Sequence, residues 1–287
     1  MLRTLSLKRV ATGAMMMALI ANVATASPQQ TAVDDSHAVL ESAIETAGLD
    51  IVVSIDHARL AAAESVEMPP SRVLIFSDAD VSAPILRDNI RAGLDLPFRV
   101  LSYADEGAAK VVHTDAEFLQ IRHGLTNTAA LEDFDAKLNE VTKNASAVAV
   151  PIDGLTRDYG IIELESKLSV SEAVASLTET VRGQDDTVWF GEVRFSEAAS
   201  EAGEQVPEAV LLLFGGPAPG GVAMADFPAI GLDAFCQKLL IYAGENGGSV
   251  VIFNDIAAFA ELHYGASAKP HHALNERLTA TFAQAIQ

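Results

Sequence analysis

Val73-Leu74-Ile75-Phe76, with Pro69 before it and Gly93-Leu94-Asp95 after it, returns 138 positions later as Leu211-Leu212-Leu213-Phe214, flanked by Pro207 and Gly231-Leu232-Asp233. Further on the offset drifts by only a few residues. Tyr103 meets Tyr242, Gly107 meets Gly247, Asp115 meets Asp255 and Gly124 meets Gly265. A period this long is no solenoid; it describes two tandem copies of a small domain of about 100 residues each.

Working outward, each copy mixes both periodicities. Arg72 to Phe76 is a near-continuous apolar strand, and Pro97–Tyr103 with Ala109–Thr114 form a hairpin around Asp105-Glu106-Gly107. Helical spacing marks Asp34–Ala47, a segment from Ser82 to about Arg91, and a helix capped by Asp115 that stops at Gly124. The second copy repeats this order behind one extra strand near Tyr159–Lys167. Hairpin-joined strands with interspersed helices predict an α+β fold: two copies of a mainly antiparallel sheet with helices packed on it. The boundaries read as 27–125 for the first copy, 126–156 for a helical linker, 157–265 for the second copy and 266–287 for a C-terminal helix.

Ahead of these lies a segment with the pattern of a secretory signal over residues 1–26. Arg3, Lys8 and Arg9 precede an apolar stretch from Val10 to Ala24, and Ala24-Thr25-Ala26 supplies small residues for cleavage. The stretch is shorter than the roughly 20 residues of a membrane span. The expectation is therefore a periplasmic or secreted protein with no membrane span after cleavage. Without the leader, 39 acidic residues face 16 basic ones, a net charge of −23 that repels nucleic acid. A single cysteine, Cys236, allows no internal disulfide and reads as a buried, inert thiol, so the cores alone must hold the fold.

Four ordered segments carry a family resemblance. They are Ile55-Asp56-His57-Ala58, Met68 through Phe76, Gly93-Leu94-Asp95-Leu96-Pro97-Phe98-Arg99, and Ala116 through Leu125 with its Arg122-His123-Gly124 ending. Together they resemble the family called domain of unknown function 302, over nearly all of the first copy and more weakly in the second. The resemblance implies a small α+β domain with an antiparallel sheet, often found as a dimer, and names no catalytic residues. The chain departs from the family after the central strand, where Ser77-Asp78-Ala79-Asp80 replaces the usual Gly-Asn-Pro, whereas Phe214-Gly215-Gly216-Pro217 is closer to it.

Polar residues that the second copy does without are the candidates for a site. Asp56 and His57 correspond to Arg194 and Phe195, and Arg122-His123 to His263-Tyr264. Asp56, His57, Arg122 and His123 are therefore the candidate ligand-binding residues, a carboxylate beside an imidazole being suited to orient a base or a metal ligand. The plainer reading is that Asp56 caps a helix begun by His57, and that Arg122 and His123 serve the carbonyls ending another. No Gly-x-Ser-x-Gly elbow, His-Glu-x-x-His helix or Cys-x-x-Cys pair is present, and the glycine-rich 214–221 lacks the ending of a phosphate loop. The expectation is a non-enzymatic module binding a small ligand or a protein, its fused copies pairing as an intramolecular pseudo-dimer or the chain forming a homodimer. The alternative is a metal- or cofactor-dependent enzyme with its site in the first copy, using Asp56, His57 and His123. No residue pattern names the cofactor.

Overall fold

Each half of the molecule is built around one five-stranded sheet. The computed structural model describes residues 27–245 and 247–287, so the expected leader lies outside the described residues. The first half opens with α1 (Pro28–Thr46), which begins earlier than its apolar spacing suggests because the Ser27 hydroxyl accepts from Gln30 N and Pro28 occupies the first turn. Its buried face is Val33, His37, Leu40 and Ile44. There follow β1 (Asp50–Asp56), α2 (His57–Ala63), β2 (Ser71–Ser77), α3 (Ala79–Asp88), a 3-10 turn at Ile90–Leu94, β3 (Phe98–Asp105), β4 (Ala108–His113), α4 (Ala116–His123) and α5 (Thr128–Thr142). A two-residue strand, β5 (Val148–Ala149), closes the sheet in the order β1-β2-β3-β4-β5.

The second half runs β6 (Ile161–Ser166), α6 (Val170–Arg182), β7 (Val188–Arg194), α7 (Phe195–Glu201), β8 (Ala209–Gly215), α8 (Pro217–Met224), a 3-10 turn at Pro228–Gly231, β9 (Gln237–Ala243), β10 (Ser249–Asn254), α9 (Ile256–Tyr264) and α10 (Lys269–Ala285). Its sheet order is β6-β10-β9-β8-β7. All pairings are antiparallel except the short β4–β5 contact. The two halves share even their irregularities. The register slips between Ile51 and Val53 in β1, and 138 residues on between Trp189 and Gly191 in β7. The Leu96–Pro97 and Phe235–Cys236 peptides are both cis.

Three details differ from the linear reading. The edge place that β6 fills in the second half is held in the first by β5, which follows its copy instead of leading it. The first helix, expected over Asp34–Ala47, already includes residues 29–33. The helices read as a linker and a C-terminal appendage, α5 and α10, are equivalent members of the two copies. The first packs on α1, α3 and α4, the second on α6, α8 and α9. Their apolar faces, with Phe134 and Leu138 in one and Phe282 in the other, complete the cores of their own halves.

The halves pair about an approximate two-fold axis. Helix α2 packs on α8 and, symmetrically, α3 packs on α7; each 3-10 turn lies on the other half's sheet. This explains the repeated Gly-Leu-Asp. A Cβ on Gly93 would sit 3.0 Å from Leu240 Cδ1 and 3.1 Å from Phe195, and one on Gly231 would sit 3.1 Å from Ser71 Oγ and 3.2 Å from Leu101 Cδ1. Both turns touch the opposite half at these points, so neither position has room for a side chain. The buried cluster containing Val73, Leu101, Phe195 and Leu240 is continuous across the pairing. No helix among the described residues is long and apolar enough to cross a membrane.

Candidate functional site

Two polar assemblies lie where the halves meet. The first is a closed charge cluster. Asp95, just after the first 3-10 turn, accepts from Arg99 Nη2 at 3.1 Å, Arg122 Nη1 at 2.6 Å and His123 Nε2 at 2.6 Å. Asp233, after the second turn, accepts from the same Arg99 Nη2 at 3.1 Å and from His263 Nε2 at 2.8 Å. Arg122 also donates to Asn254 Oδ1 at 2.8 Å and to the Tyr159 carbonyl at 2.9 Å, with its guanidinium 4.8 Å from the centre of the Phe259 ring.

Burial raises the Asp95 carboxyl, but the adjoining Arg122, Arg99 and His123 outweigh it and hold the group well below the usual carboxylate range. Asp233 is lowered against the same burial by His263 and Arg99. Burial lowers His123 in spite of Asp95. Strand register puts Lys238 at the place of Arg99, since Leu213 faces Lys238 as Ile75 faces Arg99. Burial, aided by Arg99, brings its ammonium down to about 7. The Asp95, Asp233, Arg99 and Arg122 side chains have no solvent exposure, so the cluster joins the halves and offers no face to a ligand.

The second assembly is a cavity of about 30 Å³ between α2 of one half and the strand-to-helix junction of the other. His57, Ile55 and Leu60 come from the first half; Phe190, Gly215 to Pro217, Met224, Phe235 and Cys236 come from the second. Asp56 caps α2 through Arg59 N at 2.9 Å, and this turns the chain so that His57 faces inward. His57 is 8% exposed; its Nδ1 lies 3.3 Å from Ser71 Oγ, and its Nε2 has no hydrogen-bond partner. Burial pushes the imidazole down to about 4, against the weak opposing pull of the Phe235 and Ser71 carbonyls. Burial pushes the Cys236 thiol up to about 11.

The approximate two-fold produces a second cavity, of about 50 Å³, from the exchanged elements. Phe195, Leu86 and Pro97 line it at the places of His57, Met224 and Cys236, while Val193 stands for Ile55 and Ala198 for Leu60. One cavity thus carries three groups with donor atoms, and its mate carries hydrocarbon at all three places.

The four residues singled out from the sequence therefore separate. Asp56 is an N-cap whose carboxylate meets Arg59 at 2.6 Å and Arg72 at 3.6 Å, in a network with Asp34 of α1. Arg122 and His123 belong to the buried charge cluster. Only His57 reaches a cavity. The pairing of Arg122-His123 with His263-Tyr264 is corrected: counted from the caps Asp115 and Asp255, His123 matches His263, and each bonds the aspartate of its own Gly-Leu-Asp. The second copy has kept this Asp–His pair. Asp95 and Asp233 were missed as a pair although their motif marks the repeat; Met224 and Cys236 carried no signal, since only the pairing of halves brings them beside His57.

Comparison with known proteins adds the family. The profile described as "Domain of unknown function DUF302" matches residues 23–145 and 162–285. Among curated proteins, the chain is similar to the "Fluoride-specific ion channel FluC 1" of Brucella suis biovar 1, with 30% identity over 124 residues, covering 40% of this chain and 48% of that protein. It is equally similar to the "Fluoride-specific ion channel FluC 1" of Brucella abortus biovar 1, with 30% identity, 40% of this chain and 46% of that one. The chain thus spans about half the length of the curated relatives it matches. Among solved structures, it is similar to an uncharacterized conserved DUF302 protein from Bacillus stearothermophilus, at 15% identity and a TM-score of 0.39, covering 45% of this chain and 98% of that one.

Proposed function

We propose, from the premise that this chain belongs to the DUF302 family in both of its halves, that it is a non-enzymatic binding module with its ligand site in the cavity between the repeats. One observation carries this reading. Across the approximate two-fold, His57, Met224 and Cys236 stand where the mate cavity has Phe195, Leu86 and Pro97, while the mate's own polar groups are Ser77 and Ser82 at the places of Gly215 and Gly220. Duplication frees one cavity to specialise while its mate remains a packing contact.

The dimensions set the ligand's size. A volume near 30 Å³ holds one or two water-sized species, far below the several hundred Å³ of a drug-sized or cofactor site. The ligand is a single ion or a molecule of very few atoms, and haem is too large. The alternative enzyme needed Asp56, His57 and His123 to converge, and each of the three has separate partners. On the composition of residues 1–26 we place the protein in the periplasm or outside the cell, where an acidic surface favours cationic partners over nucleic acid.

Thermal unfolding of the full chain with Zn²⁺, Cu⁺, Ni²⁺, Ca²⁺ and haem added separately, beside His57→Phe, tests the reading. A ligand at 100 times its dissociation constant stabilises by about 2.7 kcal/mol. A raised midpoint with at least one ion, lost in His57→Phe, is the expected result. No shift with any ion, or a shift that the variant retains, overturns the site. A shift with haem alone overturns the size argument.

A further inference from the structure

Resting on that reading of the cavity, we propose that His57, Met224 and Cys236 form a site for a soft monovalent cation of the copper(I) class. Imidazole Nε2, thioether and thiolate are the three donors. The His57 side chain lines the cavity and is more than nine-tenths buried; its Nε2 has no hydrogen-bond partner, while its Nδ1 is held by Ser71 Oγ at 3.3 Å. A metal-ligating imidazole likewise has one nitrogen oriented by a hydrogen bond and leaves the other without a protein partner.

The sulfur groups are its neighbours. The Met224 methyl and the Ser71 hydroxyl both lie about a Cβ contact from Gly231, at 2.7 and 3.1 Å from where that Cβ would stand. The end of the Met224 side chain and the serine that orients His57 thus share Gly231 as a neighbour. Cys236 lines the same cavity, next to the Phe235 carbonyl that faces the imidazole.

The donor set selects the ion. One nitrogen and two sulfurs, with no carboxylate in the lining, suit a soft ion that accepts low coordination. A structural zinc site takes four ligands from cysteine, histidine and carboxylate, and only two of the three groups here are of that kind. Calcium and magnesium require oxygen donors. Neutral imidazole is ready to bind. The thiol is protonated in the free protein, so binding exchanges one proton for the cation: the S–H bond breaks, an S–metal bond forms, H⁺ leaves to solvent and no electron is transferred.

The mate cavity supplies an internal control, since Phe195, Leu86 and Pro97 replace all three donors at once. A gap that merely tolerated a cavity-facing histidine gives no reason for the sulfurs to occur on the same side. The double histidine His271-His272 is a poorer claimant, because His271 is buried and bonds the Ala223 carbonyl at 2.9 Å while only His272 is exposed.

The test is anaerobic titration of the full chain with copper(I) against a chromophoric copper(I) chelator, repeated with silver(I) as a redox-inert substitute. His57→Phe, Met224→Leu, Cys236→Ser and the control His272→Ala are compared, each checked for folding by circular dichroism. One equivalent bound, with copper–sulfur scattering in X-ray absorption, is expected. His57→Phe and Cys236→Ser should each lose about 10–100-fold in affinity or more, that being the loss even from removing a supporting group of a metal site. Met224→Leu should lose less, and His272→Ala nothing. Because Met224→Leu installs the residue already used in the mate cavity, it keeps the test open should Cys236→Ser fail to fold.

No uptake in competition with the chelator, or equal uptake by all variants, overturns the copper(I) assignment. If Zn²⁺ or another ion raises the unfolding midpoint in a His57-dependent way while copper(I) does not bind, the assignment falls and the binding-module reading stands. If no ion binds, both fall.

Discussion

Arg99 and Asp233, 134 residues apart in sequence, are joined by a 3.1 Å ion pair with neither side chain exposed to solvent. The same guanidinium nitrogen also holds Asp95 of its own half, so one side chain fastens the two repeats through both Gly-Leu-Asp motifs. Removing one member of a buried pair leaves an uncompensated charge. Asp233→Asn is expected to destabilise the protein by about 3–5 kcal/mol. Urea unfolding is the measurement, with a shift in midpoint at unchanged slope as the expected form.

The 3-10 turns are filled to contact. At Gly93 a methyl group would meet both Leu240 methyls and the Phe195 ring at 3.0–3.3 Å, and none of these atoms is the free end of a long flexible chain. Gly93→Ala gains about 0.4–1 kcal/mol from a stiffer unfolded chain wherever the native backbone accepts it. Overpacking of the repeat interface outweighs that gain, and a net loss of about 1–3 kcal/mol is expected. A melting temperature equal to or above wild type would show that the halves can separate slightly without penalty.

His37 gives the stability a defined acid limb. It lies in the face of α1 against the first sheet, with Nε2 2.9 Å from Ser54 Oγ. Burial first, and then Arg72, lower it from 6.5 to about 4. The unfolded chain therefore takes up a proton at a higher pH than the folded one. Stability from this group is full above pH 6.5, declines as the pH falls, and is lost once it passes through about 4. The loss approaches about 3 kcal/mol. In urea unfolding at pH 7 and pH 4.5, His37→Gln should show a smaller difference between the two conditions than wild type.

His57→Phe separates a binding histidine from a packing one. The phenyl ring is what the mate cavity holds at this place, and it removes a buried nitrogen that has no partner. The unfolding midpoint should stay within about 1 kcal/mol of wild type in the absence of added ions, because the lost Ser71 contact and the removed orphan oppose each other. A histidine kept for the fold would instead cost clearly more, a result calorimetry would detect.

The repeat itself, the strand Val73–Phe76 with its copy Leu211–Phe214, and the two hairpins were legible in the sequence, because apolar periodicity and turn residues are local signals. One residue of the cavity was legible as well, since His57 stood out against Phe195. The pairing slipped further along, where α9 is one residue longer than α4 between its capping aspartate and its closing glycine, so that His263 and not Tyr264 stands at the place of His123. Only hydrogen bonds to Asp95 and Asp233 correct that count.

By itself, then, the sequence determined a duplicated α+β domain, its elements and its acidic surface. These follow from patterns within tens of residues. The tertiary structure decided which polar residues meet. Docking α2 on α8 brings Met224 and Cys236 to His57 across more than 160 residues of chain, and the paired turns bring Asp233 to Arg99. Such contacts depend on the close fit of two folded surfaces, where a glycine at position 93 or 231 sets how near the halves come, and no spacing along the chain encodes that distance.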